Sequence, residues 1–202
     1  NDSMTYIVTA LKPEAQAFVD FYKLAKSKLG GFTVFSNNEM ILIVSGLGVK
    51  NAREATQTLI NHYDITDDDV YLNVGICGAS RVYEIGSLLE IGSIVYDGKE
   101  RVFNEKKRRL HCLDEESSSD EHDLVDMESY GFYDAVVHSP AIKNFYVFKV
   151  VSDHFEPRAI TKENAKTFVF NVINDINSLL KTKDAITTGM PPKPSAPERT
   201  CL

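Results

Sequence analysis

Apolar positions along the chain switch between two spacings, one that suits strands and one that suits helices. Tyr6–Thr9 is a short β-branched run, and from Glu14 to Leu29 the residues Ala15, Phe18, Val19, Tyr22, Ala25 and Leu29 fall at helical intervals, with Gly30-Gly31 as the expected stop. Phe32–Phe35 and Met40–Ser45 follow as two strands around an Asn37-Asn38 turn. Gly46-Leu47-Gly48 then opens a helix carried by Val49, Ala52, Ala55, Leu59, Ile60 and Tyr63. Val70–Val74 predicts a strand, Gly75-Ile76-Cys77-Gly78 a turn, and Leu88–Val95 strand material broken at Gly92. A helix over about Ser129–Val137, a strand over 145–153 and one long amphipathic helix over 163–181 complete the series.

Strands that alternate with helices imply a mostly parallel sheet covered on both faces, a three-layer α/β domain spanning residues 1–183. Two stretches are expected outside that core. Residues 97–123 are dense in charge and serine and read as a mobile segment, and the tail over 184–202, with Met190-Pro-Pro-Lys-Pro-Ser-Ala-Pro197, reads as disordered because it cannot hold a packed element.

The 202 residues suffice for one sizeable core, and 43% hydrophobic with 25% charged residues is an ordinary globular balance. No apolar run approaches the roughly 20 residues that span a bilayer. A net charge of -7 argues against non-specific binding to nucleic acid or an anionic membrane. Three cysteines, Cys77, Cys112 and Cys201, form an odd set in a chain that opens without an export pattern, so a reducing, cytoplasmic setting is expected.

Candidate chemistry concentrates at two places. The run Phe145–Asp153 is a nearly continuous apolar strand that ends in Ser152-Asp153, and Asp126-Met127-Glu128-Ser129 sits at the start of a helix. Ligands of open α/β sheets bind past the carboxyl ends of such strands, and paired carboxylates are what cleavage of a glycosidic bond requires. Glu14, just after the first strand, adds a third acid. Each has a purely structural reading as well: Glu128 as a partner of the helix macrodipole, Asp153 as a turn residue. Other motifs are incomplete. Gly46-Leu47-Gly48 has Asn51 where a dinucleotide fingerprint needs its third glycine, and Gly75–Gly78 lacks the Lys-Ser/Thr ending of a phosphate loop. His111, Cys112, Asp120 and His122 lack zinc-ligand spacing, Lys106–Arg109 is followed at once by Asp114-Glu115-Glu116, and Cys77 reads as a packing residue. No metal and no cofactor is expected.

In order along the chain, Thr9-Ala-Leu-Lys-Pro-Glu14, Val44-Ser-Gly-Leu-Gly48, Asn73-Val-Gly-Ile-Cys-Gly78, Leu89–Val95, Val125-Asp-Met-Glu128 and Val150-Val-Ser-Asp153 resemble the nucleoside phosphorylase-like superfamily. Within it they resemble most the bacterial 5'-methylthioadenosine/S-adenosylhomocysteine nucleosidases, over residues 6–183. The resemblance implies a three-layer nucleoside phosphorylase-like fold with a mixed, mostly parallel central sheet. It also implies a homodimer, and a small-molecule nucleoside as partner. Met127 and Glu128 would bind the ribose, Asp153 would protonate or hydrogen-bond the leaving base, and Glu14 would order or deprotonate the attacking water. Gly75, Ile76 and Ser152 would complete the substrate contacts. No arginine accompanies the Glu14 loop or Gly75–Gly78, which favours hydrolysis over phosphorolysis, since a phosphate dianion wants arginine-type donors. A phosphorylase and a noncatalytic nucleoside-binding protein stand as the alternatives.

Overall fold

The computed structural model describes residues 3–187, with side chains through residue 183. Among these residues ten strands form one sheet: β1 (Thr5–Thr9), β2 (Ala25–Leu29), β3 (Phe32–Ser36), β4 (Met40–Val44), β5 (Val70–Ala79), β6 (Leu88–Tyr96), β7 (Lys99–Val102), β8 (Arg108–Cys112), β9 (Leu124–Asp126) and β10 (Asn144–Asp153). The helices are α1 (Lys12–Tyr22), α2 (Val49–His62), α3 (Ser129–Val137), α4 (Lys162–Phe170) and α5 (Ile173–Thr187). None is long and apolar enough to cross a membrane.

β5 is the axis. Its first half lies parallel between β1 and β10, and at Gly78-Ala79 it is taken over by β9, antiparallel. Because β10 pairs β6, β6 pairs β8 and β8 pairs β9, these strands close a ring back onto β5. β4, β3 and β2 extend the sheet outward from β1. Helices cover both faces: Phe18 of α1 and Val169, Ile173 and Ile176 of α4 and α5 pack with Leu42, Leu72 and Phe148, while Leu59 of α2 and Phe132 of α3 pack with Tyr6, Ile43 and Tyr71. The mixed three-layer arrangement is as expected.

Local details depart from the expectation. The helix read to Leu29 ends at Tyr22, where Lys23 turns left-handed (φ 59°) and donates its N–H to the Val19 carbonyl. Ala25–Leu29 instead forms an edge strand, and Gly30-Gly31, both at positive φ, is the two-residue hairpin turn into β3. The lysines at positions 26 and 28 suit an exposed edge that must not recruit another strand. Gly75–Gly78 is strand rather than turn, because β10 pairs with it along its length. β6 runs unbroken through Gly92, where the register shifts and an added Cβ would lie 1.9 Å from the Asn104 carbonyl oxygen. Residues 97–123 do not lie outside the core as a whole: β7 and β8 come from them, and Arg108 and Arg109 open β8. The single helix over 163–181 is two, with a turn at Asn171-Val172 that the apolar period carries straight through. The proline-rich expectation over 184–202 falls largely outside the described residues, as does Cys201.

Bare backbone sets how closely α2 and α3 approach. An added Cβ at Gly131 of α3 would stand 2.2 Å from the Val49 carbonyl oxygen and 2.8 Å from the Arg53 amide nitrogen of α2, so a side chain there has no room. Arg53 and Asp134 close the same contact with a 2.8 Å ion pair. Gly131→Ala is expected to cost about 1–3 kcal/mol of stability, the usual scale of overpacking, in urea unfolding. An unchanged midpoint would mean the helices separate freely.

Candidate active site

The carboxyl ends of β1, β5, β9 and β10 converge on a cavity of about 270 Å³. Six of the seven residues expected from the sequence line it: Glu14, Ile76, Met127, Glu128, Ser152 and Asp153. Gly75 does not. It lies beneath the cavity, where an added Cβ would come within 3.0 Å of Glu14 Oε2 and 3.4 Å of Lys149 Nζ. Its missing side chain is therefore the space these two charged groups occupy.

Glu14 stands in the first turn of α1 and is fully buried. Its Oε1 accepts the N–H groups of Ala10 (3.1 Å) and Leu11 (2.9 Å), and Oε2 accepts that of Ile76 on β5 (3.0 Å). One carboxylate thus caps its own helix and ties it to the central strand. Burial raises its proton affinity, while those three donors and Lys149 pull it down, and the balance is a raised value.

Two acids two residues apart divide the work at the start of α3. Asp126 does the capping: its Oδ2 accepts the Ser129 N–H (2.9 Å) and Oδ1 the Ser129 hydroxyl (2.7 Å). Glu128 makes no cap of that kind. Its Oε2 instead accepts the Gly48 N–H at 2.9 Å, so the Gly46–Gly48 loop is part of the site through its backbone. Burial first, then the charge of Asp126, pushes the Glu128 carboxyl up to about 7, although Gly48 and Lys149 oppose the shift.

Lys149 was not anticipated as part of the site. It lies mid-strand in β10, 2% exposed, with Nζ 3.0 Å from Asp126 Oδ2. Burial opposes its charge, but Asp126, Glu128 and Glu14 outweigh burial and hold the ammonium above its ordinary value. An ion this deep survives only with such partners. The signal in the sequence was a lone lysine in an otherwise apolar strand four residues before Asp153.

Asp153, at the end of β10, is fixed on both oxygens: Oδ1 accepts the Ser152 hydroxyl (2.6 Å) and Oδ2 the Glu156 N–H (2.7 Å). Ser152 Oγ also lies 3.3 Å from the Cys77 carbonyl oxygen, so its hydroxyl orients the acid. Burial raises the Cys77 thiol well above its usual value, which keeps it protonated and unreactive. The segment Leu113, Glu115, Glu116 and Ser117, expected from the sequence to be mobile, forms another wall.

No protein-family model and no curated protein matches the sequence. Solved structures match its fold. Futalosine hydrolase of Helicobacter pylori superposes with TM-score 0.74 at 14% identity, over 89% of this chain and 98% of that one. The 5'-methylthioadenosine/S-adenosylhomocysteine nucleosidase of H. pylori, bound to butyl-thio-DADMe-Immucillin-A, gives 0.71 at 13% identity over 89% and 98%. Arabidopsis thaliana 5'-methylthioadenosine nucleosidase gives 0.67 at 18% over 87% and 96%. The chain therefore has the nucleoside phosphorylase-like fold.

The raised Glu128 makes a signed prediction. With a folded value of about 7 above an unfolded 4.5, the native protein binds more protons than the unfolded chain between them. The stabilisation is complete below about pH 4.5 and is lost as pH rises through about 7. Glu128→Gln should match the parent near pH 5 and melt higher than it at pH 8. Parallel melting profiles would show that Glu128 is not held in a proton-favouring site. Removing the buried cation acts oppositely: Lys149→Met should cost about 3–5 kcal/mol at pH 8, the scale for breaking a buried pair, and less at pH 5, where the stranded carboxyls take up protons. An equal loss at both pH values would assign the cost to packing alone.

Proposed function

We propose that this protein hydrolyses the N-glycosidic bond of a purine nucleoside or 5'-thio-nucleoside. The observation that carries the reading is the set of three separately held carboxyl groups, Glu14, Glu128 and Asp153, on one cavity at the carboxyl ends of the strands. The fold shared with nucleosidases and with futalosine hydrolase supports it.

Each acid suits a different part of the reaction. Glu128 has one oxygen on the Gly48 N–H, which leaves the other to accept hydrogen bonds from a ribose diol, beside Met127. Asp153, steadied by Ser152, hydrogen-bonds the base and passes a proton to it as it leaves. Glu14 draws the proton from the attacking water, and its raised proton affinity makes it a stronger base than a solvated carboxylate. The C1'–N bond breaks, a C1'–O bond forms, and the products are free base and free sugar. Positive charge that develops on the sugar ring faces carboxylates.

Water rather than phosphate is the nucleophile in this reading, because no lysine or arginine lines the cavity among the described residues and Lys149 spends its charge on Asp126. The resemblance in sequence further supports a homodimer.

The test is chromatography of free base released from a panel of nucleosides, with and without phosphate. Release without phosphate, with free sugar as the other product, is expected. Asp153→Asn should bind nucleoside yet turn over about 10²-fold or more slowly, the scale of a lost general acid. A sugar 1-phosphate as the main product would replace hydrolysis with phosphorolysis, and binding without release at high protein concentration would favour a noncatalytic nucleoside binder.

A further inference from the structure

Six acidic residues line the cavity: Glu14, Glu115, Glu116, Asp126, Glu128 and Asp153. No cationic side chain joins them there among the described residues, and the ammonium of Lys149, beneath, is paired with Asp126 at 3.0 Å. Three of the acids have backbone or side-chain donors that the proposed chemistry uses: Glu14, Glu128 and Asp153. Asp126 is consumed by Lys149 and Ser129. Glu115 and Glu116 have no such duty. They come from the exposed segment between β8 and β9, and hydrolysis does not call for them.

We infer that the cavity selects its substrate by charge, admitting nucleosides with neutral or cationic substituents and rejecting carboxylated or phosphorylated ones, with Glu115 and Glu116 as specificity-determining residues. This rests on the reading of the site as a nucleoside hydrolase. The physical reason is one of scale. A space of about 270 Å³ is on the order of 8 Å across, no more than a Debye length at physiological salt, so a charge anywhere in the bound ligand lies within reach of the ionised acids that line it, the exposed Glu115 and Glu116 among them. Like charges brought together on binding, with no counter-cation to meet them, are a strong means of rejecting the wrong partner. A cationic chain meets the opposite field and is drawn in.

Three adenine nucleosides whose 5'-thio chains are equal in length and end in an ammonium, a methyl or a carboxylate group give the test. Release of adenine is followed by chromatography and binding by calorimetry. The carboxylate compound is expected to have a kcat/KM about 10²-fold or more below the methyl compound, with the ammonium compound at or above it. Because Glu115 and Glu116 are exposed, each is worth only a few-fold. The double variant Glu115→Gln, Glu116→Gln should recover about 10-fold of the carboxylate compound's deficit relative to the methyl one, and added salt should narrow the same gap in the parent. Equal kcat/KM across the three compounds, or a gap untouched by both the variant and salt, would overturn charge selection and leave hydrolysis standing. If no compound releases adenine, hydrolysis fails, and the order of the three dissociation constants still decides the charge rule: tighter binding of the ammonium than the carboxylate compound upholds it, and equal binding overturns it.

Discussion

The ammonium of Lys149 is the constraint on which the rest of the site depends. Taking a lysine into the middle of a sheet costs several kcal/mol unless its charge is met by good partners, and taking carboxylates there costs as much. Each burial makes the others tolerable. Asp126 meets Lys149 directly, and the same positive charge opposes the protonation of Glu14 and Glu128, both of which burial pushes the other way. Without it, burial of Glu14 and Glu128 would be opposed by their backbone hydrogen bonds alone. Gly75 belongs to this arrangement, since any side chain there would press on both Glu14 and Lys149. The direction in which Lys149 spends its charge has a further effect: because it is turned toward Asp126, the charged residues that line the cavity above, among the described residues, are all acids.

Much of the candidate site was legible in the sequence because its residues follow strands. Glu14 comes after a short β-branched run, Asp153 ends a long apolar one, and Met127-Glu128 precedes a clear helix, so the rule that ligands gather at strand ends links residues distant along the chain. Lys149 was not legible, because a single lysine between Phe148 and Val150 carries no periodic signal and lysines are ordinarily exposed. The pairing with Asp126 exists only once β9 and β10 are both folded against β5. Errors in the fold have similar causes. The apolar spacing of α1 continues into Ala25 and Leu29, but the left-handed turn at Lys23 stops the helix. Gly75–Gly78 looked like a turn because glycine usually serves one, whereas here its small size admits Glu14, Lys149 and Asp153 against a strand. In 97–123, charge on exposed strand faces masked β7 and β8.

The position of Glu128 shows how a packing requirement reaches the candidate site. A carboxylate at a helix N-terminus is normally held by the amides of that terminus. Here Asp126 accepts both the N–H and the hydroxyl of Ser129, so Glu128 is released to face the cavity. What holds it instead is the Gly48 N–H, which belongs to the entry of α2. The distance between that N–H and Glu128 is set by how closely α2 and α3 approach, and the limit on their approach is the bare backbone at Gly131. A bulkier residue there would widen the helix pair and draw Gly48 away, with no change in any residue that lines the cavity. The carboxyl's proton affinity would then rise, because Gly48 is one of the few groups that oppose its burial. Helix packing outside the cavity thereby tunes the ionisation of Glu128, the acid we propose to bind the ribose.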